Sequence, residues 1–402
     1  EELGAWCLEA GAYGILIGED SQNLEQAGWI YVEKLKILEQ TCRIDQTHID
    51  SCEMDDVEET VVCLTEKLPV EKLIPLLYGH VEQNSSTLGA AGIRVPGSAG
   101  ETTHALEQSC GIRPLIMADG PAGIRLHQSY EVDTVSGRVY GKSVLGALEN
   151  GYLEPLQKHE NASTYYQYCT AFPVGTAMAQ TWNPKLLQAF GRAVAQEMKE
   201  FQIDLWLAPG MNIQRNPLCG RNFEYYSEDP FLTGKMAAAV VRGVQEDGSC
   251  GAVIKHFACN NQEDNRMGVD VHISERALRE IYLRGFEIAV KESAPLAIMT
   301  SYNQINGIHA ANSRALCSVI ARKEWGFGGV FMTDWSTTAP ADGSVPWKCI
   351  EAGNDLIMPG SAKDDENIRK AYADGILSER QIRVCAGRLI SLIDKLDKKT
   401  KN

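Results

Sequence analysis

Most of the signatures that announce a ligand are missing from this 402-residue chain. It has no Walker loop, no Rossmann fingerprint and no histidine or cysteine cluster at metal-ligand spacing, and its eight histidines are scattered. Nucleotide and metal chemistry are therefore not expected, and no cofactor is predicted. Apolar runs stop at strand length, so no transmembrane helix is expected. Positive charge is scarce: 38 Lys and Arg face 53 Asp and Glu, a net charge of -15. That balance argues against nucleic acid or an anionic membrane as a partner. The twelve cysteines include no CxxC pair, and Cys259, Cys317 and Cys385 sit inside strand-like or helical runs. Reduced thiols and a cytoplasmic location are the expectation. Internal repeats are absent, and the one biased stretch is the Lys-rich end, 395–401, expected to be a solvated tail.

What is present is a series of apolar runs, each ending in polar side chains. The most informative is 326–335, GFGGVFMTDW, which ends in Asp334 and Trp335. Aspartate after a buried strand is a common turn or helix N-cap residue. It is also the residue to expect where a barrel strand opens into an active-site mouth, with an aromatic wall beside the carboxylate. Other runs lead into Ala118-Asp119-Gly120-Pro121-Ala122-Gly123, into Leu207-Ala208-Pro209-Gly210 followed by GRNFEYYSEDP at 220–230, and into Lys255-His256-Phe257. Two more lead through Met299 to Ser301-Tyr302-Asn303 and into Asp355-Leu356-Ile357-Met358-Pro359-Gly360. Each has a plain structural reading as well. The Gly and Pro after Asp119 punctuate a turn, Ser227 to Pro230 reads as a helix start, and Met299 is either pocket wall or core.

Candidate strands near 113–118, 170–175, 204–209, 251–257, 295–302, 328–334 and 355–358 alternate with helical stretches. Helices are predicted from Ser274 through Ala289, with Ser274 as cap, and from Pro184 to Phe201. Strands rich in Val, Ile and Leu without polar alternation fit parallel strands buried on both faces. The predicted fold class is α/β, a TIM-type (β/α)8 barrel over 84–402 with an insertion near 126–164. The insertion holds His127, Tyr130 and Tyr140 and is expected to shape the leaving-group side of the site.

Six strings in this order, spread over more than 250 residues, resemble glycoside hydrolase family 3. The Gly-Phe-x-Gly run closing in Thr-Asp-Trp is similar to the family's nucleophile motif, which implies that Asp334 is the catalytic nucleophile of a retaining glycosidase. By the same resemblance Asp119 accepts from the 4- and 6-hydroxyls of a terminal sugar, and its Asp-Gly-Pro-x-Gly-x-Arg signature extends to Arg125. Arg221 matches a sugar-binding arginine. Lys255 and His256 are implied to hold ring hydroxyls and, by their positive character, to keep Asp334 ionised. Tyr302 matches the tyrosine beside the nucleophile, Met299 and Trp335 line the pocket, and the 353–360 string is architecture. The implied reaction is removal of terminal β-D-glucosyl units from β-glucosides or oligosaccharides.

The first eighty residues differ in kind. Runs at 5–8, 11–18 and 29–33 read as three short strands, resembling the closing strands of a fibronectin III-like β-sandwich over residues 1–40. Residues 41–83, with Asp55, Asp56, Glu58 and Glu59 clustered, read as a linker leading to a helix over 70–78. The resemblance places an α/β-sandwich domain ahead of such strands, so the chain is expected to be the C-terminal portion of a larger or divided polypeptide. That missing domain or chain would supply the acid/base glutamate. Glu224, Glu228 and Glu263 are the local carboxylates that could serve instead, and Asp270-Val271-His272 is a faint echo of the His-Asp pair of family N-acetylglucosaminidases. Alternatives left open are a β-xyloside, an α-arabinofuranoside or an N-acetylglucosaminide as substrate, a Schiff-base role for Lys255, a non-catalytic carbohydrate-binding fragment, and a homo-oligomer.

Overall fold

The computed structural model describes residues 3–20, 22–42, 56–81, 94–137, 139–140 and 159–400. The chain separates into two compact units, Glu1–Ser51 and Cys52–Asn402.

The first unit holds β1 (Ala5–Leu8), β2 (Gly11–Gly18), β3 (Leu24–Val32) and β4 (Lys36–Gln40). Four strands form where three were expected. They pair antiparallel as β1 with β4 and β2 with β3. Nearly every strand residue is exposed, including Ile17 and Tyr31, so no closed sandwich core forms among the described residues of this unit.

The second unit adds β5 (Gly100–Glu101), β6 (Ile116–Ala118), β7 (Ser129–Asp133), β8 (Val139–Tyr140), β9 (Ala162–Tyr166) and β10 (Leu205–Trp206). These are followed by β11 (Gly251–Phe257), β12 (Asp270–Val271), β13 (Ala297–Thr300), β14 (Gln304–Ile305), β15 (Ile308–His309) and β16 (Val330–Thr333). The main sheet runs in the order β16-β13-β11-β10-β6-β5. Its strands are parallel except β5, which pairs antiparallel with β6. The sheet curls: Met332 bridges to Leu356, Ile357 to Tyr78, and Gly79 antiparallel to Thr102, just past β5.

Two departures from the sequence reading concern this sheet. The strand expected near 170–175 is an extended loop, because its backbone is satisfied elsewhere. Phe172 N donates to Ala122 O, and Thr170 N donates to the Glu197 carboxylate. Conversely, the short segments at 78–79 and 100–102 join the sheet without any apolar run long enough to announce them. The expected linker is also partly structured. Residues 56–63 are helical, and Gly387 lets that helix approach, since a Cβ there would lie 2.2 Å from the Val61 carbonyl oxygen. Asp55 lies outside the described residues. The helix expected over 70–78 is a short turn, Val70–Leu73, tightening into a 3-10 turn over Ile74–Leu77. The described part of the insertion forms a three-stranded antiparallel sheet, β8-β7-β9, while 141–158 fall outside the described residues.

The capping chemistry follows its sequence signals. Asn183 accepts from Leu186 N ahead of the helix Pro184–Glu200, and Asp229 accepts from Leu232 N ahead of Pro230–Val244. Ser274 accepts from Ala277 N and opens the helical run that ends at Ser293. The layer between the sheet and its helices is fully buried, with Phe257 packed on Phe286 of the helix Arg284–Ser293 and on Phe331, at ring separations of 5.2 and 5.7 Å. Asp355, completely buried, ties this layer together. It accepts from Phe331 N at 2.8 Å, Arg322 Nη2 at 2.6 Å and Arg388 Nη1 at 3.0 Å.

Candidate active site

The parallel strands end at one cavity of about 630 Å³. Its lining includes Asp119 just past β6, Lys255 and His256 within β11, and Tyr302 past β13. Met299 within β13, and Asp334 and Trp335 past β16, complete this set, together with Arg221 from the loop after β10. All eight residues singled out in the sequence thus face one space. Arg125, Glu224 and Arg266 line it too.

The backbone leaving β16 is unusual. Trp335 and Ser336 both have left-handed φ, 31° and 59°, a conformation that costs a side-chain-bearing residue about 1–3 kcal/mol. Three contacts hold it: Tyr302 Oη donates to Trp335 O at 2.8 Å, Trp335 Nε1 to Ala99 O at 3.0 Å, and Ser336 N to Met358 O at 3.0 Å. The turn directs Asp334 into the cavity and sets Trp335 as wall.

Three carboxylates line the cavity among the described residues, and they are not equivalent. Asp119 is clamped by Lys255 Nζ at 2.7 Å and Arg125 Nη2 at 2.9 Å. Burial alone would raise its pKa, but the two cations outweigh that and hold it well below the usual carboxylate range. Glu224 is bound to Arg221 Nε, and Arg221 stays charged against its burial because Tyr225, Glu224 and Asp334 surround it. Asp334 has no such contact; its nearest cationizable neighbour is His256 Nε2 at 3.6 Å. Burial raises its pKa, and Arg221, Lys255 and Arg266 together only partly offset the rise.

His256 contributes no positive charge, which corrects the expectation from sequence. Burial, followed by repulsion from Arg221, Lys255 and Arg266, drives its pKa well below 6.5. Its tautomer follows from a chain of single-option contacts. Glu263, which also accepts from Arg266 Nη1 at 2.9 Å, accepts from Asn260 Nδ2 at 3.1 Å, and this fixes the Asn260 amide. The same Nδ2 donates to Tyr225 Oη at 2.9 Å, leaving the phenol proton for His256 Nδ1 at 3.2 Å. The imidazole proton therefore resides on Nε2, facing Asp334. Asn212 locks the backbone of the same residue from both sides, at 2.9 Å each.

The other carboxylates named from sequence lie elsewhere. Glu228 is exposed, and Glu263 serves the Asn260 and Arg266 contacts rather than lining the cavity. The His272 side chain is 81% exposed and pairs with Asp270 at 3.4 Å, away from the cavity. Tyr302 donates to Trp335 O and also interacts with the Asp334 carboxylate; burial, then that neighbour, keep its pKa well above 10. Arg125 and Arg266 were missed as site residues. The first closes the Asp119 signature and was within reach of the sequence argument. The second arrives from an irregular loop, 5.0 Å over the Tyr302 ring, with no local pattern to mark it.

The family model described as "Glycosyl hydrolase family 3 N terminal domain" matches residues 158–392. An exo-alpha-(1->6)-L-arabinopyranosidase from Bifidobacterium longum is 45% identical over 226 residues, 56% of this chain and 29% of its own length. A beta-glucosidase from Ruminococcus albus is 44% identical over 230 residues, 56% of this chain and 24% of its own. The solved structure of beta-glucosidase 3B from Thermotoga neapolitana in complex with glucose superposes with a TM-score of 0.69 at 38% identity, over 86% of this chain and 44% of that one. The chain thus spans less than a third of these curated relatives and under half of the solved neighbour.

Proposed function

From the premise that this chain belongs to glycosyl hydrolase family 3, we propose that it carries the nucleophile and sugar-binding floor of a retaining β-glucosidase. Its curled sheet is read here as the family's (β/α)8 barrel with an antiparallel second member, and β1–β4 as strands of a fibronectin III-like domain. Asp334 attacks the anomeric carbon of a terminal β-D-glucosyl unit. Asp119, Arg221, Lys255 and the Nε2 proton of His256 hold ring hydroxyls, while Met299 and Trp335 wall the ring. Water then releases the sugar with retained configuration.

One observation carries this reading. Among the cavity's three carboxylates, Asp334 alone is left without an ion pair at contact distance, under the field of three cations. A nucleophile must be desolvated and uncommitted, yet ionised. Asp119 and Glu224 are each committed to arginine or lysine partners, so neither supplies the second carboxyl that retention requires about 5–5.5 Å away. Among the described residues no further carboxylate lines the cavity, and the acid/base is proposed, as the family resemblance implies, to be a glutamate of a domain or chain outside this sequence.

The test is covalent trapping with a 2-deoxy-2-fluoro-β-glucoside bearing a dinitrophenyl leaving group, which departs without protonation and so bypasses the missing acid. Mass spectrometry should find the sugar on Asp334; a label on another carboxylate, or none, rejects the assignment. A second sugar is favoured by one observation: the 45% identical Bifidobacterium relative is an arabinopyranosidase. A panel of nitrophenyl β-glucoside, α-L-arabinopyranoside, α-L-arabinofuranoside, β-xyloside and N-acetylglucosaminide ranks these. The position of His272 speaks against the last. The Lys255–Asp119 ion pair speaks against a Schiff-base role, since a charged ammonium is no nucleophile.

A further inference from the structure

Glu263 does not line the cavity, yet each of its oxygens begins a chain of contacts that ends at Asp334. Along the first, Oε1 accepts from Asn260 Nδ2 at 3.1 Å, the same nitrogen donates to Tyr225 Oη at 2.9 Å, and the phenol meets His256 Nδ1 at 3.2 Å. The far side of that imidazole, Nε2, is 3.6 Å from the Asp334 carboxylate. Along the second, Oε2 accepts from Arg266 Nη1 at 2.9 Å, Arg266 lies 5.0 Å over the Tyr302 ring, and Tyr302 interacts with the same carboxylate. Two residues that reach the nucleophile, His256 in β11 and Tyr302 past β13, thus share one anchor.

The order of the first chain is imposed on Asn260 from outside. Its Oδ1 is buried and accepts from no described residue, an arrangement that a buried amide avoids where it can. Turned over, the amide would set this oxygen toward Tyr225, which can donate to it, but also against the Glu263 carboxylate, acceptor facing acceptor. Glu263, as the ion-pair partner of Arg266, offers acceptors at both oxygens and so keeps the Asn260 nitrogen in place. Asn260, Tyr225 and His256 are all buried, so each contact passes its constraint on to the next.

We propose that Glu263 is a positioning residue for the nucleophile, which sets the His256 proton on Nε2 through Asn260 and Tyr225 while it holds Arg266 over Tyr302. With the proton there, His256 presents a donor to the Asp334 carboxylate and to a ring hydroxyl. With the proton on Nδ1 it would present a lone pair to those of the carboxylate, and both the nucleophile and the sugar would lose that contact. The part Glu263 plays in the reaction rests on the glucosidase reading; its hold on the proton rests on the contacts alone.

Glu263→Gln tests this without a change of shape. The new side chain offers one acceptor and one donor, and Arg266, a permanent cation, claims the acceptor. The new NH2 group then faces Asn260, which turns over; its oxygen accepts from Tyr225, and Tyr225 accepts from His256 Nδ1. Nitrogen-15 spectra of His256 in the full chain should therefore show the proton on Nε2 in the parent and on Nδ1 in Glu263→Gln, with kcat/KM for a dinitrophenyl β-glucoside about ten- to a hundredfold lower. Asn260→Asp, which aims an oxygen at Tyr225 and leaves Arg266 paired, should move the proton in the same way. A proton on Nδ1 in the parent, or one that stays on Nε2 in either folded variant, overturns the proposal, as does a proton that moves with kcat/KM unchanged. If the parent chain does not hydrolyse the glucoside, the glucosidase reading falls, and the spectra still decide for or against Glu263.

Discussion

Two buried aspartates near arginines, Asp355 at the amino end of the sheet and Asp334 at its carboxyl end, meet opposite fates. Asp355 has one oxygen engaged by Arg322 and the other by Arg388, at 2.6 and 3.0 Å, and accepts from a backbone N–H besides. Asp334, one strand away at the cavity, is nearly as buried, yet it has no ion pair among the described residues, and the nearest basic side chain, the neutral His256, is at 3.6 Å. The difference separates architecture from chemistry. A carboxylate whose valences are all filled holds strands together; one that feels cations without touching them keeps its lone pairs for a substrate.

Removing each carboxylate should expose that division. Asp334→Gly is expected to cut turnover of an activated aryl glucoside by roughly 10⁴-fold or more with the fold retained. Circular dichroism and the rate together check it, and near-normal hydrolysis would end the nucleophile assignment. Asp355→Ala should do the reverse. It strands Arg322 and Arg388 in the interior and is expected to lose about 3–5 kcal/mol of unfolding free energy in denaturant titration, whereas Asp334→Asn should leave stability unchanged or raised.

The field on Asp334 can then be weakened in steps. Because its pKa is raised and it must be ionised to attack, activity should fall as pH drops through that raised value. Arg221→Met removes the leading cation, so the acidic limb of kcat/KM should move to higher pH, with a loss of roughly 10²-fold at the optimum. An unmoved limb would mean Arg221 acts only on the sugar. The smallest effect expected is that of Tyr225→Phe, which frees His256 Nδ1 and lets both tautomers form. A loss of up to about tenfold in kcat/KM is anticipated, with nitrogen-15 shifts of His256 showing the mixture; a single Nε2-protonated form in that variant would refute the contact chain.

The contrast also marks what could be read in advance. Asp334, Asp119 and Lys255 were legible because strand ends are local. An apolar run of known length must stop, and the polar residue at its stop is visible in one window of sequence. The helix starts at Pro184, within Ser227 to Pro230 and at Ser274 were legible for the same reason. The loop at 170–175 was mistaken for a strand because its Ala-Phe-Pro-Val run looks extended, and it is extended, but its hydrogen bonds go to Ala122 and the helix Pro184–Glu200 rather than to a ladder. Tyr78, Gly79 and Thr102 join the curl through single bridges, which leave no periodicity to detect. His256 lines the cavity but is neutral where a positive charge was expected, since its charge depends on burial and on arginines from two other loops.

Sequence alone thus determined where the strands end, which polar residues stand at those ends, and which family pattern they form, because these depend on neighbours a few residues apart. Only the tertiary structure decided how charge is shared out among them: Asp119 bound to Lys255 and Arg125, Glu224 to Arg221, His256 neutral with its proton on Nε2, and Asp334 left over. Ion pairing and desolvation depend on distances between groups as much as 136 residues apart, and those distances exist only once the sheet has curled.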